Sequence, residues 1–343
     1  MQDNSNGNQT QEGQVDPVLF EFLSNGKSYG LPDHPVEIIE SHMSLVFLVG
    51  DRAYKMKKPL RLDFLDNHDL PARLLNCQRE FKLNRIFSPE IYLDLVPVTA
   101  NARGDLELDG AGEPVEWLVV MRRLGEEKLL DHAIQARCVT PEHIAALAGL
   151  LGNLYRQTEK IPISGQEAID NWLSLMDRNE QSLRAPEFGL DLTAVNRIAT
   201  DLRRFLASNR NVIFDRVEQG WIRDGHGDLR PEHVYLGPPV RLIDRLEFDP
   251  QLRWHDPFEE VADLGLECER LGAPWIYPLL KEKLGDELGT PPSEALQNFY
   301  AGVHGCVRAR LAIEHLRFDR QQSAKWLKRT EDCLRITAKY ACS

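Results

Sequence analysis

The sequence predicts an α+β protein in two parts, a small antiparallel-sheet lobe followed by a larger, mainly helical lobe. Three observations predict it. Residues 45–49 and 53–57 are β-rich runs separated by Gly50, Asp51 and Arg52, which is hairpin chemistry. Residues 117–121 form a continuous apolar run that suits a buried strand. After Arg122 the apolar spacing is helical almost to the end. The expected divisions are a disordered tail at 1–16, a first lobe at 17–121 and a second at 122–343.

Each element follows from local chemistry. Residues 1–15 are rich in Gln, Asn and Gly and have no apolar core, so they read as a tail and not as a signal peptide. Residues 17–23 have helical spacing, and the prolines at 32 and 35 break the chain. Residues 69–87 contain few breakers and read as a helix, and 91–98 as a strand. Residues 104–112 carry turn residues and acids and read as a hairpin tip. Thr140 caps a helix with Pro141 at its first position, and the pattern runs to Thr158. Two more helices are expected at 166–182 and 192–209. Residues 221–246 read as two short strand-like pieces around a polar loop. From 256 onward the pattern is helical, with breaks near Pro274, Pro278 and Pro291-Pro292. There is no internal repeat, and neither a P-loop nor a dinucleotide-binding glycine pattern occurs.

Charge narrows the partners. The chain holds 53 acidic and 41 basic side chains, a net charge of −12. Nucleic acids and anionic membranes both need clustered Lys and Arg, so neither is expected as a partner. A cationic small molecule suits such a surface, as does simple solubility. The six cysteines form no C-x-x-C and no zinc-type spacing with His. They read as reduced apolar residues of a cytoplasmic protein. The oligomeric state leaves no sequence mark.

The chemistry concentrates in residues 226–236, from His226-Gly227-Asp228 to Leu236, followed by a short strand ending in Ile243-Asp244. A loop aspartate and an aspartate on the returning strand suit phosphoryl transfer. One can orient an attacking hydroxyl, and the other can hold Mg²⁺ on the phosphates of ATP. The alternative is a polar turn whose aspartates cap backbone amides.

Those residues resemble the aminoglycoside phosphotransferase and choline-kinase-like family, whose pattern is H-G-D-x-x-x-x-N, then a hydrophobic strand ending in Asp. The resemblance implies a protein-kinase-like fold and transfer of the γ-phosphoryl group of ATP to a small-molecule hydroxyl. It implies that Asp228 is catalytic and Asp244 a metal ligand. At the family's Asn position stands His233. Its imidazole is either a ligand, better suited to Mn²⁺ than to Mg²⁺, or a residue bonded within the loop. A nucleotide-binding pseudokinase is therefore the alternative function. Ala53-Tyr54-Lys55 resembles the strand whose Lys clamps the α- and β-phosphates, with Lys57 on the same face as the competing choice. Arg79-Glu80 resembles the family's helix R-E, which makes Glu80 the partner of that Lys; a surface pairing with Asn76 or Asn84 is the alternative. Ser44 stands where a hydroxyl would donate to a phosphate, or is an ordinary turn serine. Met121 falls at the hinge that contacts adenine. Asp256-Pro257 with Glu260 resembles D-P-x-x-D-L-A, whose acids brace the catalytic loop. Glu247 either approaches the metal or pairs with Arg245 or Arg253. His304 and His315 are not at a metal-binding spacing. Arg308 and Arg310 either meet an anionic substrate or pair with acids.

Overall fold

The structure, a computed structural model, describes residues 11–12, 14–62, 65–317 and 321–341. Contacts divide the chain into two units. One is Met1–Gly125 with Leu242–Pro250; the other is Glu126–Arg241 with Gln251–Ser343. The sequence alone ran the second part unbroken from residue 122. The short segment Leu242–Pro250 groups instead with the sheet.

In the first unit, β1 (Gln11–Glu12) and β6 (Leu65–Asp66) each pair antiparallel with β5 (Leu60–Leu62). Of the tail expected at 1–16, residues 1–10 and 13 lie outside the described residues. Helix α1 (Pro17–Leu23) is capped by Asp16, whose side chain accepts from the Val18 N–H, with proline at its first position. The main sheet has six strands in the order β2-β3-β4-β9-β7-β8. They are β2 (Glu37–Glu40), β3 (Ser44–Val49), β4 (Arg52–Lys57), β7 (Tyr92–Ala100), β8 (Leu106–Leu108) and β9 (Glu113–Arg122). The pairs β2–β3, β3–β4, β4–β9, β9–β7 and β7–β8 are all antiparallel. Strand β2 has all four residues exposed and a glutamate at each end, a charged edge without the alternation that would mark it in the sequence. The expected hairpin tip at 104–112 contains β8, too short to show a period of two.

Both faces of this sheet are covered. Leu19, Leu23, Leu45, Phe47, Met56, Val98 and Leu118 pack together in one cluster, and Cys77, Ile91, Tyr92 and Val119 in another. The second includes helix α2 (Leu70–Asn84), capped by Asp69. Its buried face is mostly polar: Arg73, Asn76, Cys77, Glu80 and Asn84. Those positions recur at helical spacing, so one stripe of the helix turns a row of hydrogen-bonding groups inward. Arg73 is satisfied by Glu116 of β9 at 2.9 Å.

The second unit is mainly helical. It contains α3 (Leu130–Gln135), α4 (Pro141–Gln157), α5 (Gly165–Leu183), α6 (Leu192–Ser208), α7 (Arg210–Glu218), α8 (Pro257–Arg270), α9 (Ile276–Leu288), α10 (Glu294–Glu314) and α11 (Ser323–Ala341). Trp172, Leu202, Leu266, Phe299, Tyr300 and Leu334 are among the side chains of its core. Short strands β10 (Arg223–Asp224), β11 (Val234–Tyr235), β12 (Arg241–Leu242) and β13 (Trp254–His255) interrupt the helices around the polar loop. The expected break at Pro278 does not occur. Pro278 is the third residue of α9, in the first turn, where a backbone N–H has no intrahelical partner to lose. Helices α3 and α7 are too short to give a readable period. Cys77, Cys138, Cys268, Cys306 and Cys333 are free thiols, and Cys342 lies outside the described residues. Among the described residues no helix is long and apolar enough to cross a membrane.

Candidate functional site

In the first unit two lysines, a glutamate and an aspartate converge. Lys55 and Lys57 are two residues apart on β4 and so point the same way. Both reach Glu80 of α2: Lys55 Nζ lies 2.8 Å from Oε1, and Lys57 Nζ lies 2.6 Å from Oε2. Glu80 is fully buried, which rules out its reading as a surface residue. Burial alone would push the Glu80 carboxyl up, but the two ammonium groups hold it below its ordinary value. The lysines then part company. Lys55 Nζ lies 2.6 Å from Asp244 Oδ1, and Lys57 Nζ lies 2.5 Å from Glu247 Oε1. Glu247, for which the sequence offered a metal or an arginine, is thus the second anchor of Lys57. Against burial, Asp244 and Glu80 raise the Lys55 ammonium well above its ordinary value, so it stays charged.

The segment carrying Asp244 is tied down by buried side chains. The Asp244 N–H donates to the Tyr92 hydroxyl at 3.0 Å, and the Arg245 N–H donates to Asn84 Oδ1 at 2.8 Å. The Ser88 hydroxyl donates to the Leu242 carbonyl at 2.6 Å. Asp244 itself has φ 61°, a left-handed conformation that a non-glycine residue adopts at a cost. Its side chain remains 42% exposed, so the carboxylate is open to a ligand. Ser44 and Met121 contribute differently. The Ser44 hydroxyl, 7% exposed as a residue, is hydrogen-bonded to the Ser41 hydroxyl at 2.9 Å, which is the turn-serine role. Met121 pairs with Ala53 and Tyr92 across β9 and is half-buried against Tyr92 and Val119.

In the second unit Asp228 sits in the loop between β10 and β11. Gly227, at φ 86°, makes the turn before it and donates its N–H to Glu260 Oε1 at 2.5 Å. Glu260 also accepts from the buried Tyr155 hydroxyl, so it braces the loop as the D-P-x-x-D-L-A resemblance implies. Asp256 caps α8 and takes Arg216 in two bonds, 2.6 and 3.0 Å. Arg308 of α10 donates to Asp228 Oδ1 at 3.3 Å and is bonded to both oxygens of Asp263. Arg230 Nε lies 3.0 Å from Asp228 Oδ2. Burial raises the Asp228 carboxyl, but Arg308 and then Arg230 more than offset it and hold it below its ordinary value. The sequence offered Arg308 either an anionic substrate or an acid; it has two acids.

His233 is held inside the loop. Its Nδ1 lies 2.8 Å from the Asp228 carbonyl and its Nε2 lies 3.2 Å from Arg230 Nη2. Arg can only donate, so Nε2 is the acceptor and Nδ1 carries the proton. The lone pair that a metal would need is directed at Arg230. These contacts are those of the loop-bonded alternative; a ligand role for His233 would require Nε2 to turn away from Arg230.

One further cluster was not foreseen. His255 Nδ1 lies 2.6 Å, and His304 Nε2 3.0 Å, from the same oxygen, Glu259 Oε1. Burial opposes charge on His255, but Glu259 outweighs it and lifts the ring to about 10; the two histidines draw Glu259 down to about 2. The His255–Glu259 spacing of i,i+4 was a readable signal. No sequence signal pairs His304 with these two residues, because its partners lie far away in the chain.

No family model matches the chain. Uncharacterised proteins of Mycobacterium bovis and Mycobacterium tuberculosis are 29% identical over 297 residues, covering 85% of this chain and 57% of theirs. The chain thus spans little more than half the length of the curated relatives it matches. Spectinomycin phosphotransferase, solved with ADP and spectinomycin, aligns at a TM-score of 0.50 with 12% identity, covering 96% of this chain and 100% of that one. A choline/ethanolamine kinase family protein from Mesorhizobium loti aligns at 0.48 with 14% identity, covering 94% and 99%. The α+β fold is the protein-kinase-like one that the sequence predicts.

Proposed function

We propose that the chain is an ATP-dependent phosphotransferase that moves the γ-phosphoryl group to a hydroxyl of a small molecule. The observation that carries this reading is Lys55, a charged lysine bridging a buried helix glutamate and a half-exposed aspartate. That is the arrangement a kinase uses to hold triphosphate beside a divalent cation. The donor set fits Mg²⁺: Asp244 offers carboxylate oxygen, a hard ligand, on a side chain open to solvent. When bound, the ion supplies neutralisation of phosphate charge. The protein supplies the rest. Lys55 binds the α- and β-phosphates, Glu80 fixes Lys55, and Asp228 orients the acceptor hydroxyl and takes its proton. Positioning and charge account for most of the acceleration in such a reaction.

The test separates the two lysines. Lys55→Ala removes a charged hydrogen bond to phosphate, about 1.5–3 kcal/mol, so KM for ATP is expected to rise roughly 10- to 100-fold. Lys57→Ala leaves Lys55, Glu80 and Asp244 in place and is expected to lower stability while changing KM for ATP little. Equal effects on KM would remove the assigned division of labour. No ATP turnover with any hydroxyl compound, in a protein that still binds ATP, would support a second reading, a nucleotide-binding pseudokinase. The observation behind it is that arginines lie against both oxygens of Asp228.

The depressed Asp228 carboxyl fixes a pH dependence. A carboxyl held below its ordinary value of about 4 is charged throughout the neutral range. The profile of kcat/KM is expected to show no acid limb from Asp228 between about pH 5 and 8. A limb near pH 6 that does not belong to the substrates would contradict it.

A further inference from the structure

The geometry points to a second metal site, for a zinc-like divalent ion, formed by His255, Glu259 and His304. The three offer one ligand atom each, and these atoms lie within 4.8 Å of one another. They come from three elements of the second unit: β13, the first turn of α8, and α10. Two imidazoles and a carboxylate, with a fourth position left for water, form a donor set typical of zinc. Such ligands sit about 2.0–2.2 Å from the ion, hence about 3.3 Å from one another in a tetrahedron. The separations of 2.6 and 3.0 Å to Glu259 Oε1 need to open by about 0.7 and 0.3 Å to reach that spacing, with all three ligand atoms already within 4.8 Å of one another.

What surrounds the trio supports a ligand and not merely a hydrogen-bonded core. A metal-binding histidine characteristically spends its other nitrogen on a carbonyl or a carboxylate. His255 Nε2 lies 2.7 Å from the Leu252 carbonyl, leaving Nδ1 to face the trio. His304 Nε2 faces the trio, while its Nδ1 is 3.9 Å from Asp263 Oδ2, beyond hydrogen-bond reach but close enough for a charge interaction. The His304 ring also stands edge-on to Trp172, with centroids 6.2 Å apart, which fixes its plane. The His255 side chain is 18% exposed, giving an ion a route from solvent, while Glu259 and His304 are buried.

The site connects to Asp228 through atoms already described. His304 faces Asp263, Asp263 holds Arg308, and Arg308 holds Asp228. The trio is separate from the cation that Asp244 would hold.

The experiment reads metal directly. The full chain is loaded with Zn²⁺, desalted and measured for zinc; Co²⁺ loading is read from the visible spectrum of tetrahedral cobalt. About one equivalent is expected for the wild type. His304→Gln and His255→Gln are each expected to lose it and the cobalt bands, while Asp244→Ala keeps both. His255 lies near the surface, so His255→Gln still decides the matter should His304→Gln fail to fold. Absence of stoichiometric zinc in the wild type, or zinc unchanged in the folded histidine variants, overturns the proposal. Because Asp244→Ala disables the proposed phosphotransfer cation site alone, failure of either assignment is seen separately.

Discussion

Replacing Asp228 by alanine is expected to lower phosphoryl transfer by about 10²- to 10⁴-fold, the usual contribution of a positioned general base. The melting temperature is expected to stay close to that of the wild type. Two facts support the second expectation. Arg308 keeps both oxygens of Asp263, and Arg230 keeps Glu232 at 3.4 Å, so neither guanidinium is left without a carboxylate. The Asp228 side chain is 28% exposed, so its removal opens little cavity. Steady-state assays of ADP release with an accepted hydroxyl compound, beside thermal melts, check both halves. Turnover within about threefold of the wild type would take Asp228 out of the chemistry. A collapse of the melting temperature would make it a structural residue.

Glu80→Ala is expected to be the most destabilising single change in the first unit. The glutamate is fully buried and meets two ammonium groups that are themselves nearly buried. Removing one partner of a buried ion pair leaves uncompensated charge, at a cost of about 3–5 kcal/mol. Here the cost is moderated because Asp244 and Glu247 remain for Lys55 and Lys57. Glu80→Gln retains the shape and one acceptor and is expected to lose less. Urea denaturation midpoints order the three proteins as wild type, Glu80→Gln, Glu80→Ala. An alanine variant as stable as the wild type would mean that the lysines are hydrated and that the pairing adds little.

The parts of the fold that were legible in the sequence are those set by local rules. The hairpin of β3 and β4 follows from two β-rich runs around Gly50, and α4 from the Thr140–Pro141 start. The two aspartates could be found because their loop and strand carry a short, ordered signature. Glu80 was legible only through the Arg79-Glu80 resemblance. Helix α2 turns a polar stripe inward, which periodicity alone assigns to solvent. What escaped was pairing over long sequence distances. Nothing near residue 308 tells which carboxylates Arg308 will meet, and Glu247 gave no hint of Lys57. Strand β2 escaped for another reason, since an exposed charged edge has no apolar face to show.

The assignment of Leu242–Pro250 to the first unit has a consequence for how the protein can be divided. Asp244 and Glu247, the carboxylates that finish the lysine cluster of β4, are supplied by a stretch that follows more than a hundred residues of the other unit. A piece ending at Gly125 would contain Lys55 and Lys57 with Glu80 as their only anion from this cluster, one negative charge against two positive. The complementary piece would carry two stray acids. No single scission therefore yields two self-sufficient halves, and a split version of this chain has to carry that nine-residue insert back to the sheet it serves.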